Sequence, residues 1–159
     1  MSAEKTPIVV ASDHAGFDMK SRLREELVAW GYRVEDLGPS AQVSVDYPDY
    51  AEAVARRISD GRASFGVLVC GTGQGMAIAA NKFPNVRAAI LYNEFASRYA
   101  RLHNDANVAV FGARTMTSDE AVTRLRIFLD EPFEKGRHAV RVEKIAKIEK
   151  RALESARKE

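Results

Sequence analysis

The chain has 159 residues, a formal net charge of +2 from 24 Lys and Arg against 22 Asp and Glu, and one cysteine. This length suits one domain with a sizeable core, which we expect to cover residues 1–159. The balanced charge gives no basis for nucleic-acid binding, the lone cysteine excludes an internal disulfide, and no apolar run has membrane-spanning length. Residues 1–5 do not resemble a secretory signal, so we expect a cytoplasmic protein without nucleic-acid or membrane partners.

Apolar runs and their periodicity predict strands that alternate with helices along the chain. The strands are predicted at residues 8–12, 32–36, 67–70, 86–91 and 108–111. The helices are predicted at 17–30, at 50–58, after the glycine-rich turn near residue 75, at 94–102, at 117–129 and from about 137 to 159. Thr117 and Glu120 have the spacing of a capping box. The last helix carries an apolar stripe, which predicts a dimer contact.

The alternation predicts an α/β fold, namely an open, doubly wound, Rossmann-like sheet of five parallel strands with helices on both faces. We expect the common strand order 2-1-3-4-5. In that order, ligands bind beyond the carboxyl ends of strands one and three. Asp13 and His14 follow strand one, and Cys70 to Gly75 follow strand three. The sequence therefore predicts one site that contains both segments.

The segment Cys-Gly-Thr-Gly-Gln-Gly, from Cys70 to Gly75, is typical of a turn between a strand and a helix. Its backbone N–H groups, with the helix N-terminus behind them, would suit an anion or a developing oxyanion. Such turns also occur without a ligand, and this one lacks the spacing of a dinucleotide or nucleotide loop. Cys70 is either a small buried apolar residue or a thiolate favoured by the helix N-terminus. We favour the functional interpretation.

Two segments that contain histidine are further candidates for the functional site. His14 is either a structural histidine or, beside Asp13, a ligand contact. His103 and Asn104 follow the fourth helix, and the sequence alone supports a polar helix terminus and a functional site equally.

Three arginines are candidates for binding a phosphate. Arg137 and Arg141 are four residues apart and so share one helix face. Arginines at this spacing are commonly only solvated, but two guanidinium groups on one face also suit a phosphate dianion. Arg114, just beyond strand five, is the third. No metal-ligand cluster is visible in the sequence.

Several segments together resemble the B-type ribose-5-phosphate isomerase family, which also contains galactose-6-phosphate isomerase subunits. The resemblance covers nearly the whole chain. The segments that carry it are Asp13-His14-Ala15-Gly16, Asp46-Tyr47-Pro48, Cys70 to Gly75, Ala79-Ala80-Asn81-Lys82, His103-Asn104-Asp105, and Gly136-Arg137-His138 with Arg141.

The resemblance implies interconversion of an aldose phosphate and a ketose phosphate through a cis-enediolate, without a metal or organic cofactor. It implies that Cys70 is the base and that His103 opens the sugar ring, with Thr72 orienting the sugar. Some relatives instead use a glutamate just after the glycine turn, where this chain has Met76. The implied substrate-binding residues are Asp13, His14, Gly71, Gly73, Gln74, Gly75, Asn104, Arg114, Arg137 and Arg141.

The expected substrate is D-ribose 5-phosphate. Isomerisation of galactose 6-phosphate, allose 6-phosphate or a tetrulose 4-phosphate is the alternative. Two other classes stay open, a non-catalytic module that binds a sugar phosphate and an enzyme with a cysteine nucleophile, such as a phosphatase.

Topology adds an expectation about His103. A helix between two parallel strands returns the chain to the amino edge of the sheet, so His103 and Cys70 should lie at opposite edges. We therefore expect a homodimer, with a tetramer left open, in which His103 of one chain serves Cys70 of the other.

Overall fold

The computed structural model describes residues 6–158, so the expectation about residues 1–5 lies outside the described residues. Its strands are β1 (Ile8–Ser12), β2 (Val34–Asp36), β3 (Phe65–Cys70), β4 (Ala88–Ile90) and β5 (Val108–Gly112). Its helices are α1 (Phe17–Ala29), α2 (Tyr47–Ser59), α3 (Gln74–Ala80), α4 (Glu94–Leu102), α5 (Ser118–Asp130) and α6 (Arg137–Ala156). The predicted alternation of strands and helices is confirmed.

The strands form one parallel sheet in the order β2-β1-β3-β5-β4. The predicted order 2-1-3-4-5 is therefore wrong in its last two positions. The cause is the difference in burial between the two strands, since all five residues of β5 are buried whereas the three residues of β4 are only partly buried. A strand covered on both faces belongs inside a parallel sheet, so β5 pairs directly with β3 and β4 takes the edge.

Side chains of the strands alternate between two apolar layers, one on each face of the sheet. Ile8 and Val10 of β1 pack with α1, α4 and α5, whereas Val9 and Ala11 pack with α2 and α3. The prediction of an open, doubly wound α/β sheet with helices on both faces is confirmed. Cys70 belongs to the layer beneath α2 and α3.

Local chemistry sets several helix and strand ends. The Thr117 side chain accepts a hydrogen bond from the Glu120 backbone while Glu120 accepts one from the Thr117 backbone, which confirms the predicted capping box. Helix α2 begins at Tyr47, three residues before the predicted start, because Pro48 is favourable in the first turn. Strand β2 begins two residues later than predicted, because the Tyr32 N–H still bonds to Leu27 at the end of α1.

Helix α6 is the least embedded element of the described chain. None of its Cα atoms comes within 8 Å of another helix or strand among residues 6–158. The Glu149 carboxylate accepts a hydrogen bond of 3.0 Å from the Asn85 backbone N–H. Its large exposed apolar side chains are Val140, Ile145, Ile148 and Leu153. Within residues 6–158, no helix is both long and apolar enough to cross a membrane.

Candidate active site

Cys70 lies at the carboxyl end of β3, next to Gly112 at the end of β5. Its side chain is almost buried, with 4% exposure. The backbone N–H of Gly73 donates to Cys70 Sγ at 3.2 Å. The start of α3 directs positive partial charge toward the same place.

The turn after Cys70 needs glycine and is fixed by hydrogen bonds. Gly73, the residue before α3, has φ 81°, a left-handed conformation that glycine adopts without strain. The Cys70 and Gly71 carbonyl oxygens accept hydrogen bonds of 2.8 and 2.9 Å from Ala113 and Arg114 just beyond β5. The predicted strand, glycine turn and helix are therefore present, and the turn is held against β5.

Polar side chains of the turn face an open cleft. Thr72 and Gln74 line a cleft of about 520 Å³ whose other side includes Tyr92 and Thr115. The cleft therefore lies on the β4 side of the turn. Gly75 packs closely under Tyr47, where a Cβ atom would come within 2.5 Å of the ring. Met76 is fully buried below the turn.

Asp13 and His14 lie beside the turn, as the sequence predicts. The Asp13 N–H donates to the Val69 carbonyl of β3 at 3.1 Å, and the Asp13 carboxylate accepts from the Gly16 N–H at 3.0 Å. The His14 Nδ1 atom is buried and has no hydrogen-bond partner within residues 6–158. Both side chains therefore share the carboxyl edge of the sheet with Cys70.

Arg114 supplies a positive charge at this edge. Its guanidinium group lies over Gly71, close enough that a Cβ atom there would be 3.2 Å from Arg114 Nη1. Its side chain is otherwise exposed. The carboxyl edge thus combines a thiol, backbone N–H groups and a guanidinium group.

His103 lies elsewhere, at the end of α4. Its ring stacks on that of His138 with centroids 3.8 Å apart and an interplanar angle of 10°. His103 precedes β5, whereas Cys70 pairs with the last of the five residues of that strand. A five-residue strand is about 16 Å long, so His103 and Cys70 of one chain lie at opposite edges of the sheet.

Arg137 and Arg141 begin α6 on the side of His103. Arg137 Nε donates a weak hydrogen bond of 3.4 Å to His138 Nε2. Burial lowers the pKa of His138 from 6.5, and the charges of His103, Arg137 and Arg141 lower it further, against the opposing effect of Glu134. Two of the three predicted phosphate-binding arginines therefore lie on the side of His103, and only Arg114 lies near Cys70.

Asn104 is exposed and lines a different space from its neighbour His103. It borders a cavity of about 600 Å³ between the β4 edge and α6, which Ile145 and Leu153 line from α6. Asn81 and Lys82, from a segment that carried the sequence resemblance, line the same cavity.

Glu134 was missed by the sequence analysis. Its Oε2 atom lies 3.5 Å from His103 Nε2 and 3.9 Å from His138 Nε2. The backbone places it there, because the Glu134 N–H donates to the Leu102 carbonyl at 3.0 Å. The only signal in the sequence is the spacing of four residues between Glu134 and His138, since His103 is distant along the chain. One ligand atom from each of the three residues lies within 4.8 Å of the others.

Comparison with known proteins identifies the family. The family model described as Ribose/Galactose Isomerase matches residues 8–145. The chain belongs to the ribose/galactose isomerase family. It is 40% identical over 144 residues to ribose-5-phosphate isomerase B of Escherichia coli, covering 91% of this chain and 97% of that protein. The resemblance stated from the sequence is confirmed.

Solved structures of ribose/galactose isomerase relatives agree with the fold. Ribose-5-phosphate isomerase B of Clostridium thermocellum has a TM-score of 0.90 and 42% identity, covering 92% of this chain and 99% of that one. The Mycoplasma genitalium enzyme with bound ribulose-5-phosphate has a TM-score of 0.88 and 39% identity, covering 91% and 96%. In the present family member, the segments that carried the resemblance divide between the two edges of the sheet.

Proposed function

We propose that this protein interconverts D-ribose 5-phosphate and D-ribulose 5-phosphate through a cis-enediolate, without a metal or organic cofactor. The observation that carries the proposal is the Cys70 thiol, which is almost buried and accepts a hydrogen bond from the glycine turn. The names of the Escherichia coli and Clostridium thermocellum relatives support the substrate, as does the ribulose-5-phosphate bound to the Mycoplasma genitalium enzyme.

In the proposed reaction the Cys70 thiolate removes the proton from C2 of the open-chain aldose. The negative charge that develops on the carbonyl oxygen is stabilised by backbone N–H groups of the turn from Gly71 to Gly75. The proton then returns from Cys70 to C1, while the O2 hydroxyl proton ends on O1, so the ketose forms and the thiolate is regenerated. Thr72 orients the sugar from the edge of the cleft. Met76 offers no carboxylate, which leaves Cys70 as the base.

Ring opening requires a second subunit in this proposal. His103 would protonate the ring oxygen, but it lies about one strand length, roughly 16 Å, from the Cys70 edge of its own sheet. We infer a homodimer in which His103 of one chain completes the site of the other. The exposed apolar side chains of α6 support this, because a face of this kind is commonly covered by a partner.

The phosphate-binding arginines follow the same division. Arg114 would act from the chain that supplies Cys70, whereas Arg137 and Arg141 would act from the chain that supplies His103. Guanidinium groups suit this role because they donate paired hydrogen bonds to phosphate oxygens. Asp13 and His14 would contact sugar hydroxyls, and Asn104 would lie beside His103.

A substrate panel tests the proposed function. Purified protein would be assayed for isomerisation of ribose 5-phosphate, galactose 6-phosphate, allose 6-phosphate and a tetrulose 4-phosphate, with the Cys70→Ala protein as background control. We expect kcat/KM to be highest for ribose 5-phosphate. Equal or faster turnover of another sugar phosphate would reassign the substrate. Binding of all four without turnover would support a non-catalytic module.

A further inference from the structure

We propose that His103, Glu134 and His138 form a binding site for a divalent transition-metal ion of the zinc type, and that metal bound there inhibits the enzyme. A metal ion bound at this site would not be a cofactor of the reaction, because the proposed mechanism needs no cofactor. Metal binding itself is independent of the proposed function. Inhibition by the metal does rest on the proposed function, because His103 has a role in turnover only if that function is correct.

The donor atoms have suitable chemistry and spacing. Two imidazole nitrogens and one carboxylate oxygen form a ligand set that zinc accepts, with a fourth position left for water. Tetrahedral zinc with bonds of 2.0–2.2 Å separates its ligand atoms by roughly 3.3–3.6 Å. The observed separations from Glu134 Oε2 are 3.5 Å to His103 and 3.9 Å to His138. The His103 and His138 rings stack face to face with an interplanar angle of 10°, so one ring must turn out of the stack before both Nε2 lone pairs can reach one ion.

The backbone holds all three donors before any metal arrives. The His103 N–H bonds to the Tyr99 carbonyl at the end of α4, and the Glu134 N–H bonds to the Leu102 carbonyl, each at 3.0 Å. The His138 N–H bonds at 3.0 Å to the carbonyl of Lys135, which has φ 65°. Two chain segments that are distant in sequence are thereby fixed together, so the backbone does not need to move when a metal binds and only the side chains must turn.

The surroundings also limit the affinity. Arg137 Nε donates to His138 Nε2, and this weak contact of 3.4 Å must break when a metal binds that nitrogen. The positive charges of Arg137 and Arg141 oppose a divalent cation. We therefore expect reversible binding, weaker than in a structural site with four protein ligands. Bound metal would occupy the lone pair that His103 needs for proton transfer.

The direct test is titration of metal-free protein, without a histidine tag, with zinc chloride in a calorimeter. We expect one zinc ion per chain. Glu134→Gln keeps the size of the side chain but weakens the ligand, and should reduce the affinity roughly 10-fold or more. The matched control is Glu143→Gln on α6, whose carboxylate pairs with Lys147 at 2.8 Å, and it should bind zinc like the wild type.

The three histidines of the chain allow a second readout that locates the metal. In proton NMR spectra, zinc should shift the ring signals of His103 and His138 and leave those of His14 unchanged. Absence of binding at millimolar zinc, equal affinity of the Glu134→Gln protein, or a shift of His14 alone would each overturn the site.

Activity separates the two parts of the proposal. Zinc should inhibit the wild type, excess chelator should restore the rate, and Glu134→Gln should resist inhibition. Zinc that binds as expected without inhibiting would overturn the inhibitory role and the assignment of His103 to ring opening, while the metal site would stand. Failure of binding in an active enzyme would overturn the metal site and leave the proposed function intact.

Discussion

The two edges of the sheet carry different halves of the proposed chemistry and are built differently. At the carboxyl edge, Cys70 and its glycine turn are held by hydrogen bonds from the residues just beyond β5 and by a hydrogen bond within the turn. At the amino edge, His103 is placed by the end of α4 and by the segment from Glu134 to His138, which joins α5 to α6. In the proposed reaction the first edge supplies the base and the oxyanion site, and the second supplies the proton-transfer and phosphate-binding groups. Neither edge is sufficient for the proposed reaction.

Under the proposed function, this difference makes the reaction depend on the association of two chains. Parallel strands bring their carboxyl ends together, so one chain readily builds a site there. A helix that returns the chain to the amino edge places its last residues about one strand length from the carboxyl edge. The proposed pairing of two copies would bring the two kinds of edge together without lengthening the chain. The following experiments test this division, from the largest expected effect to the smallest.

Replacing Cys70 by Ala should give the largest effect, a loss of roughly 10²–10⁴-fold or more in kcat, because the base is removed. Exchange of solvent hydrogen into the sugar should disappear together with activity. Cys70→Ser is the matched variant, since it nearly preserves volume while offering a far weaker acid, and it should be similarly inactive. Near-normal turnover by either protein, measured with ribose 5-phosphate, would return Cys70 to a packing role in the layer beneath α2 and α3.

Mixing two inactive variants tests whether the edges come from different chains. Cys70→Ala and His103→Ala proteins, unfolded and refolded together, should pair at random. About half of the dimers would then be mixed, and each mixed dimer would contain one intact site, so roughly a quarter of all sites should recover. Each variant refolded alone is the control. If mixed dimers form, as seen by native mass spectrometry, and no activity returns, the two residues act within one chain.

Much of the fold follows from periodicity and turn chemistry in the sequence. The strands around Val67 and Val108 are short apolar runs, and Thr117 with Glu120 marks a helix start by spacing alone. The observed positions of β4 and β5 in the sheet could not be predicted in this way, because strand order depends on how completely each strand is covered by helices. Only the folded chain shows that β5 is buried throughout while β4 is not.

The site divides in the same way. Cys70 and its glycine turn could be predicted because their chemistry lies in one continuous segment, and Asp13 follows the neighbouring strand. The contact among His103, Glu134 and His138 could not, because it depends on how the segment after α5 folds back onto the end of α4. A hydrogen bond from the Glu134 backbone to Leu102 makes that contact, and no side-chain pattern encodes it.

Removing the arginines of the amino edge should have a smaller effect than removing Cys70. Arg137→Ala and Arg141→Ala should chiefly raise KM, by about an order of magnitude, because in the proposed reaction these arginines bind the phosphate away from the reacting carbons. Arg151→Ala, further along α6, is the matched control and should behave like the wild type. Steady-state kinetics with ribose 5-phosphate would decide this, and unchanged KM for both variants would remove the two arginines from the phosphate site.

The smallest expected effect concerns the pH dependence of stability at the amino edge. Burial and nearby positive charges lower the pKa of His138 below 6.5 in the folded chain. Between that lowered pKa and 6.5 the unfolded chain binds more protons at His138 than the folded chain does. The contribution of His138 therefore makes the stability of the fold decrease as the pH decreases through this window.

A His138→Gln protein has no such group, and its melting temperature should fall less between pH 7 and pH 5 than that of the wild type. Both would be measured by circular dichroism with a chelator present and at equal protein concentration, because the proposed dimerisation would also change the melting temperature. Parallel curves for wild type and His138→Gln would show that His138 titrates alike in both states, and that the charges gathered at the amino edge do not act on it.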